Sequence, residues 1–356
     1  MTIGKVRKSV LNLSGYRPGK AASQAEAEHG IENAIKLASN ENPYSPPPPV
    51  AAAVADAIAG VNRYGDHRAT SVRAAIAGWT GVDPAQVATG CGSSGLLQQV
   101  MFTYVDAGDE VVFPWPSFEI YPVFCNLFDA TAVKVDLVDL GFDLGAVAAA
   151  VTDRTKVIFL ATPNNPTGTC VSTEDISHLL TEIPEDVVVV IDEAYREFSD
   201  PAFGDPVIEL IPLHQNVLVT RTFSKAYGLA GLRTGYAIGD PELIEQLDKT
   251  QLAFSVNNLA QAGTLAAIEH EHLAKANVAM LNAERERCVA ALEAEGWDLG
   301  PTHANFVFLP TGQRTDEVAL ALEKQGVVVR PFSDFGIRIT ISTPEENDRW
   351  LEALRA

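Results

Sequence analysis

Short apolar runs alternate with segments of helical character between residues 50 and 240. The runs are five to seven residues long, as strands are, and they read EVVFP, TAVKVDL, KVIFLA, VVVVID, NVLVTR and GYAIG. The segment VAAAVADAIAG follows a proline run, and proline is compatible with the first turn of a helix. This alternation predicts an α/β domain whose mostly parallel sheet is sandwiched by helices.

The pattern changes after residue 240. Long helical segments, including AERERCVAALEAEG, precede three strand candidates, NFVFLP, VVVRPF and IRITIS. The uncharged stretch 251–268 contains Gln, Asn, Ser and Thr, so it is predicted to belong to a long helix joining two domains rather than to span a membrane. We therefore expect an N-terminal arm over residues 1–33, a large domain over 34–250 and a smaller α+β domain over 251–356.

Charge and cysteine content narrow the function classes. The chain has 356 residues, with 26 basic and 46 acidic side chains and a net charge of −20, which disfavours nucleic acid and anionic membranes as partners. An anionic substrate would need a local cationic site. The four cysteines lack metal-like spacing, so we expect reduced thiols and no metal. The basic N-terminus lacks an apolar signal core, and the expected location is the cytoplasm.

Two charged residues come at the ends of predicted strands. Lys225 follows NVLV among hydroxyl residues, and Asp192 ends VVVVID. The loops after parallel strands converge on one edge of a sheet, where ligands bind. A lysine amine in this position is what covalent attachment of pyridoxal 5'-phosphate requires. A buried carboxylate needs a cation, which a protonated pyridine nitrogen would supply, although Asp192 as a helix cap stays equally open.

Other candidates follow the same strand ends. Gly92, Ser93 and Ser94 begin a predicted helix and, with Thr222, Ser224 and Arg233, are candidate phosphate ligands. Phe118 is a candidate for stacking on a cofactor ring, and Asn165 and Tyr195 for contacting its phenolate oxygen. Each has an ordinary alternative, such as a glycine-serine turn, a core aromatic or an Asn-Pro turn. Their shared order along the chain favours one cofactor site.

Several longer segments carry a family resemblance. They include LSGYRPG, NRYGDH, ATPNNPTGT, IDEAYREF, TFSKAYGLAGLRTGY and RPFSDFGIRITIST. The chain resembles the fold-type I pyridoxal-phosphate aminotransferases of the histidinol-phosphate aminotransferase-like branch, and within it the actinobacterial aromatic amino acid (phenylalanine) aminotransferases. The resemblance covers nearly the whole chain and is most specific at SK-x5-GLR and NNPTG. It implies ping-pong transfer of an amino group between phenylalanine, tyrosine or tryptophan and 2-oxoglutarate.

The resemblance also implies individual roles. Lys225 would bind the cofactor covalently and move a proton, and Asp192 would pair with the pyridine nitrogen. The residues suggested above for the phosphate, for stacking on the ring and for the phenolate oxygen would have those roles. Tyr64 would reach the neighbouring subunit's cofactor phosphate, which implies a homodimer with two shared sites. Arg338 would bind the substrate carboxylate, with Arg330 on the same segment. Tyr16 would cover the substrate from the arm.

Histidinol-phosphate aminotransferase is the nearest alternative function. Members with that specificity have a longer loop between the two arginines, which here are eight positions apart. Asp334 lies between them and disfavours a phosphate dianion. Phe332 and Phe335 suit an aromatic substrate, or else belong to the core. A lyase on the same fold would share the cofactor site, and a pyridoxal-binding DNA regulator is disfavoured by the short arm and the charge.

Overall fold

The computed structural model describes residues 6–11, 13, 15 and 19–356. The helices are α1 Lys8–Leu11, α2 Ala22–His29, α3 Pro48–Ala57, α4 Thr70–Thr80, α5 Gly92–Tyr104, α6 Ile120–Phe128, α7 Leu144–Ala149, α8 Thr173–Glu182, α9 Pro206–Glu209, α10 Pro241–Thr250, α11 Asn258–Glu269, α12 Glu271–Ala294, α13 Thr315–Lys324 and α14 Pro344–Arg355. The strands are β1 Ile35–Lys36, β2 Val87–Cys91, β3 Glu110–Trp115, β4 Thr131–Asp136, β5 Thr155–Ala161, β6 Val188–Asp192, β7 Val217–Thr222, β8 Thr234–Gly239, β9 Phe306–Leu309, β10 Val327–Val328, β11 Arg330–Phe332 and β12 Gly336–Thr340.

The larger sheet places the strand ends that carry the site side by side. Within the described residues its seven strands run in the order β2-β8-β7-β6-β5-β3-β4. The strands from β4 to β7 are parallel, and β8 is antiparallel to both of its neighbours. Because β6 and β7 are buried on both faces, their Val- and Ile-rich sequences are continuous apolar runs. The mostly parallel sheet follows the prediction.

A smaller sheet lies in the C-terminal third of the chain. Strands β11, β12 and β9 are antiparallel neighbours, and α13 contacts both β11 and β12. The short strand β1 pairs in parallel with β10, so a segment near residue 35 lies against this part of the molecule. Lys20 and His29 both contact the Glu323 carboxylate, at 2.5 and 2.6 Å. The two boundaries of the predicted arm and domains, after residues 33 and 250, stay a prediction.

Two local predictions need correction, and two elements were not predicted. Residues 251–257 form a loop rather than helix, because Asn257 caps α11 by accepting a 2.9 Å hydrogen bond from the Ala260 N–H. The run VVVRPF divides into β10 and β11, which pair with different strands. Helix α2 and strand β2 form in segments for which the sequence analysis predicted no element. None of the described helices has the length and apolar character that crossing a membrane requires.

An ion network lies next to the carboxyl ends of β6 and β7. Arg221 donates to Glu193 and to Asp205, each at 2.7 Å. Nearby, Glu197 lines a cavity of about 790 Å³, and its Oε2 is buried without a hydrogen-bond partner among the described residues. Burial raises the pKa of Glu197 to about 7. The ionised carboxylate therefore lowers the stability of the fold.

Glu197→Gln should stabilise the protein at pH 8 but not near pH 4. The folded-state pKa of Glu197 lies above the ordinary 4.5, so its favourable contribution is lost as the pH rises through about 7. We expect the free energy of unfolding to rise by about 1 kcal/mol at pH 8. Denaturant titrations at the two pH values measure this difference. Glu286→Gln, an exposed change on α12, is the control; an equal gain there would contradict the explanation.

Candidate active site

A cavity of about 360 Å³ lies at the carboxyl ends of β5, β6 and β7. It brings together most of the residues that the sequence nominated, namely Ser93, Ser94, Phe118, Asn165, Asp192, Tyr195, Thr222, Ser224, Lys225, Arg233 and Arg338. Three of these side chains are basic and one is acidic. The cavity therefore supplies the local cationic site that the overall charge of −20 made necessary for an anionic substrate.

Lys225 lies just beyond β7, with its amine in the cavity. Nζ donates to the Ser39 carbonyl at 3.0 Å and lies 5.7 Å from the centre of the Tyr195 ring. Burial, followed by the charge of Arg338, lowers the pKa of Lys225 to about 7. A large fraction of this amine is consequently unprotonated at neutral pH, which is the form that attacks a carbonyl.

Asp192 ends β6 with its carboxylate almost completely buried. Oδ2 accepts a 3.0 Å hydrogen bond from the Tyr121 hydroxyl, and Oδ1 accepts one from Thr220 at 3.2 Å. Burial nevertheless raises the pKa of Asp192 to about 6, so these bonds offset the desolvation only in part. A cation facing this carboxylate would restore its ionised form.

Small residues bring the backbone close together at the other end of the cavity. Gly92 has a φ of +68° and begins α5, and a Cβ there would clash with the guanidinium of Arg233. A Cβ on Gly235 of β8 would clash with the backbone of Ser93. Both positions therefore require glycine. They place the N-terminus of a 13-residue helix beside Arg233, which favours binding of an anion.

Hydroxyl groups complete this anion-binding subsite. Thr222 donates to the Ser224 hydroxyl at 3.0 Å, and Arg233 Nη1 donates to the same hydroxyl at 3.2 Å. Ser93 and Ser94 line the cavity from the first turn of α5. Helix N–H groups, hydroxyls and a guanidinium together are suitable donors for a phosphate.

Arg338 lines the cavity from β12. Its guanidinium donates to the side-chain amide oxygen Oδ1 of Asn165 and, at 2.7 Å, to the backbone carbonyl of Ala38. Phe306 and Phe332 lie under it, 5.5 and 5.8 Å from the guanidinium carbon. The arginine is thus held in one orientation, as a clamp for a substrate carboxylate needs to be. On the facing wall, Tyr195 accepts a hydrogen bond from Asn40 at 2.9 Å.

Several nominated residues lie elsewhere. Tyr64 is 84% exposed and stacks on Phe254, outside the cavity of its own chain. Phe332 is buried beneath Arg338, and Phe335 is 42% exposed; neither lines the cavity, so they do not form its aromatic-binding surface. Tyr16 lies outside the described residues. Arg330 is the cross-strand neighbour of Arg338 and is bonded to Glu119.

Sequence reasoning missed other residues of the site. Ser39 receives the lysine hydrogen bond, Tyr121 and Thr220 bind Asp192, and Ile120 adds apolar lining. Tyr121 and Ile120 belong to PWPSFEIYP, a segment from which only Phe118 was nominated. Thr220 precedes Thr222 by two positions and therefore shares its face of β7, a signal that was available in the sequence.

The described residues fit pyridoxal 5'-phosphate. The helix terminus, the hydroxyls and Arg233 suit its phosphate, and the apolar wall with Phe118 suits its ring. Asp192, buried and without a described cation partner, suits the protonated pyridine nitrogen, and the amine of Lys225 suits the aldehyde. One cavity thus meets each chemical requirement of the cofactor.

Known proteins resemble this chain over nearly its whole length. The model of the family "Aminotransferase class I and II" matches residues 32–354. Two relatives described as aromatic amino acid aminotransferase, from Cutibacterium acnes and Thermobifida fusca, are 47% and 44% identical; each alignment covers 98% of this chain, and 97% and 96% of the relative. The structure of histidinol-phosphate aminotransferase from Sinorhizobium meliloti, in complex with pyridoxal-5'-phosphate, superposes with a TM-score of 0.87 at 28% identity, covering 94% of this chain and 95% of the other.

These similarities confirm the predicted fold class, the aminotransferase class of enzyme and pyridoxal 5'-phosphate as the cofactor. The roles of individual side chains are a separate matter and rest on the geometry of the cavity. The chain belongs to the class I and II aminotransferases.

Proposed function

We propose that this enzyme transfers the amino group between an aromatic amino acid and 2-oxoglutarate by a ping-pong mechanism. One observation carries the proposal: Lys225, Asp192, Arg233 and Arg338 surround a single cavity of about 360 Å³. The relatives named aromatic amino acid aminotransferase support the choice of substrate.

Each side chain has a task that follows from its position. Pyridoxal 5'-phosphate, when bound, supplies a carbonyl and an electron-withdrawing ring. Arg338 binds the carboxylate of the amino acid and so orients its Cα. Lys225 Nζ takes the proton from Cα, which its low pKa permits near pH 7. With the cofactor bound, Asp192 would pair with the protonated pyridine nitrogen, and Asn165 and Tyr195 would donate hydrogen bonds to its ring oxygen.

The apolar part of the cavity supports an aromatic substrate. Phe118, Ile120, Pro163 and Ala194 all contribute to the lining of the cavity. These side chains offer a ring van der Waals contact without a polar group to desolvate. The phosphate of histidinol phosphate would gain nothing from this lining.

A homodimer with shared sites is part of the proposal. Tyr64 and Leu252 are 84% and 75% exposed, and Phe254 stacks on Tyr64, so large apolar side chains cluster at the surface. Burial of such a cluster favours association. We propose that Tyr64 then reaches the partner subunit's cofactor phosphate, and that Tyr16 covers the substrate. The four cysteines are unpaired, which supports a cytoplasmic location.

A single-turnover experiment tests the proposed substrate class. The purified enzyme, loaded with pyridoxal phosphate, is mixed with phenylalanine or with histidinol phosphate, and the absorbance of the aldehyde form is followed. We expect the apparent second-order rate constant to be at least about tenfold higher for phenylalanine, the scale set by matching an apolar pocket.

Each other outcome has a defined meaning. A faster reaction with histidinol phosphate would make the protein a histidinol-phosphate aminotransferase with a short loop between its arginines. Product that contains no 2-oxo acid would indicate a lyase. No absorbance change with any amino donor would contradict the proposal.

A further inference from the structure

Two arginines lie side by side on the small sheet, and one of them lines the cavity. Arg330 of β11 and Arg338 of β12 are directly paired in the antiparallel ladder, so their side chains share one face of the small sheet. Like charges in this arrangement repel each other. Arg338 lines the cavity, and Arg330, which is not part of the lining, is its direct cross-strand neighbour.

Glu119 neutralises the second of these arginines. Its Oε2 accepts hydrogen bonds from Arg330 Nε at 2.9 Å and from Nη2 at 2.6 Å. Glu119 precedes α6 and makes no capping bond to that helix, and its neighbours Phe118 and Ile120 both line the cavity. The ion pair therefore lies at the edge of the apolar wall and joins residues that are 211 positions apart.

We propose that Glu119 is a specificity-determining residue of this site. Its carboxylate occupies the Nε and Nη2 donors of Arg330, to which a second anionic group of a substrate would bind. A substrate with a neutral ring leaves the ion pair intact and meets no unpaired charge. A dicarboxylic acid replaces the Glu119 carboxylate on Arg330 with its own distal carboxylate. The inference rests on the proposed function and explains how one pocket accepts both substrate types.

The exposure of the two partners supports this exchange. The Arg330 side chain is only 13% exposed, whereas that of Glu119 is 34% exposed. The arginine thus stays in place while the carboxylate can turn toward water at little cost, because partly exposed ion pairs add little stability. A phosphate dianion on Arg330 would bring more negative charge close to Glu119 than a carboxylate does.

Equilibrium binding of unreactive analogues tests the role of Glu119. The Kd values of glutarate, a dicarboxylate, and 3-phenylpropionate, an aromatic monocarboxylate, are measured by calorimetry with the holoenzyme. Glu119→Gln keeps the size and removes the charge. We expect the ratio of the 3-phenylpropionate Kd to the glutarate Kd to rise about tenfold, the usual effect of gaining one charge-assisted contact.

A matched control and an opposite variant complete the test. Glu295→Gln removes a carboxylate of similar exposure, 31%, that pairs with Arg355 and does not line the cavity. It should leave the ratio unchanged. Arg330→Gln should lower the ratio, because the distal carboxylate loses its cation; this variant also serves if Glu119→Gln does not fold.

The outcomes separate this inference from the proposed function. An unchanged ratio in Glu119→Gln, or an equal rise in Glu295→Gln, would refute the role of Glu119. An unchanged ratio in Arg330→Gln would refute it as well. Failure of wild-type enzyme to bind either analogue, or to react with phenylalanine, would instead contradict the substrate class itself.

Discussion

Replacing Lys225 with alanine is expected to reduce the rate of amino transfer by roughly 10⁴-fold or more, because the proposed mechanism uses this one side chain both as nucleophile and as proton carrier. Its amine is the basic group whose position in the cavity and pKa of about 7 together suit proton abstraction. Arg338 and the anion-binding subsite around Arg233 should keep their structure, so the variant should still bind cofactor and substrate. Single-turnover absorbance measurements with phenylalanine give the rate.

The fold should tolerate the loss of Lys225. Burial lowers the pKa of this amine from 10.5, so the unfolded chain binds the proton more tightly and stability is lost as the pH falls from about 10 to 7. Alanine removes that cost, and the circular dichroism spectrum should be unchanged. Lys249→Ala, an exposed change on α10, is the control. Turnover at the wild-type rate in Lys225→Ala would show that another group carries the chemistry.

The positions of Lys225 and Asp192 were readable from the sequence because each follows a continuous apolar run. Such runs become buried parallel strands, and their carboxyl ends must meet at one edge of the sheet. Strand β2 was missed since VATGC is not an apolar run. It forms by antiparallel pairing with β8, whose residues come about 150 positions later.

Partners that are distant in sequence were not predictable in this way. Glu119 is a single charged residue within an aromatic segment, and no neighbouring residue in the sequence indicates that it pairs with Arg330. Asn40 and Ser39 similarly reach Tyr195 and Lys225 from the segment after β1. Local periodicity specifies which face of an element is buried, whereas these contacts depend on how segments distant in the sequence come together.

Asp192→Asn should affect catalysis and stability in opposite directions. The amide keeps the shape that Tyr121 and Thr220 surround, but it cannot balance a protonated pyridine nitrogen. We expect kcat/KM to fall by about 10²- to 10³-fold, the scale of losing one fixed electrostatic contact. A rate within twofold of wild type would show that Asp192 does not face a developing charge.

In the cofactor-free protein the same substitution should increase stability as the pH rises. The pKa of Asp192 is about 6 in the folded state against an ordinary 3.8, so its contribution to stability is present at low pH and lost as the pH passes 6. Asparagine does not titrate, and its advantage in unfolding free energy should grow between pH 5 and pH 8 to about 2 kcal/mol. Added cofactor should reverse the order, since in the proposed mechanism only the ionised aspartate can pair with the protonated ring nitrogen. Urea titrations with and without pyridoxal phosphate measure both effects, and an advantage independent of pH would mean that Asp192 is ionised in the empty site at little cost.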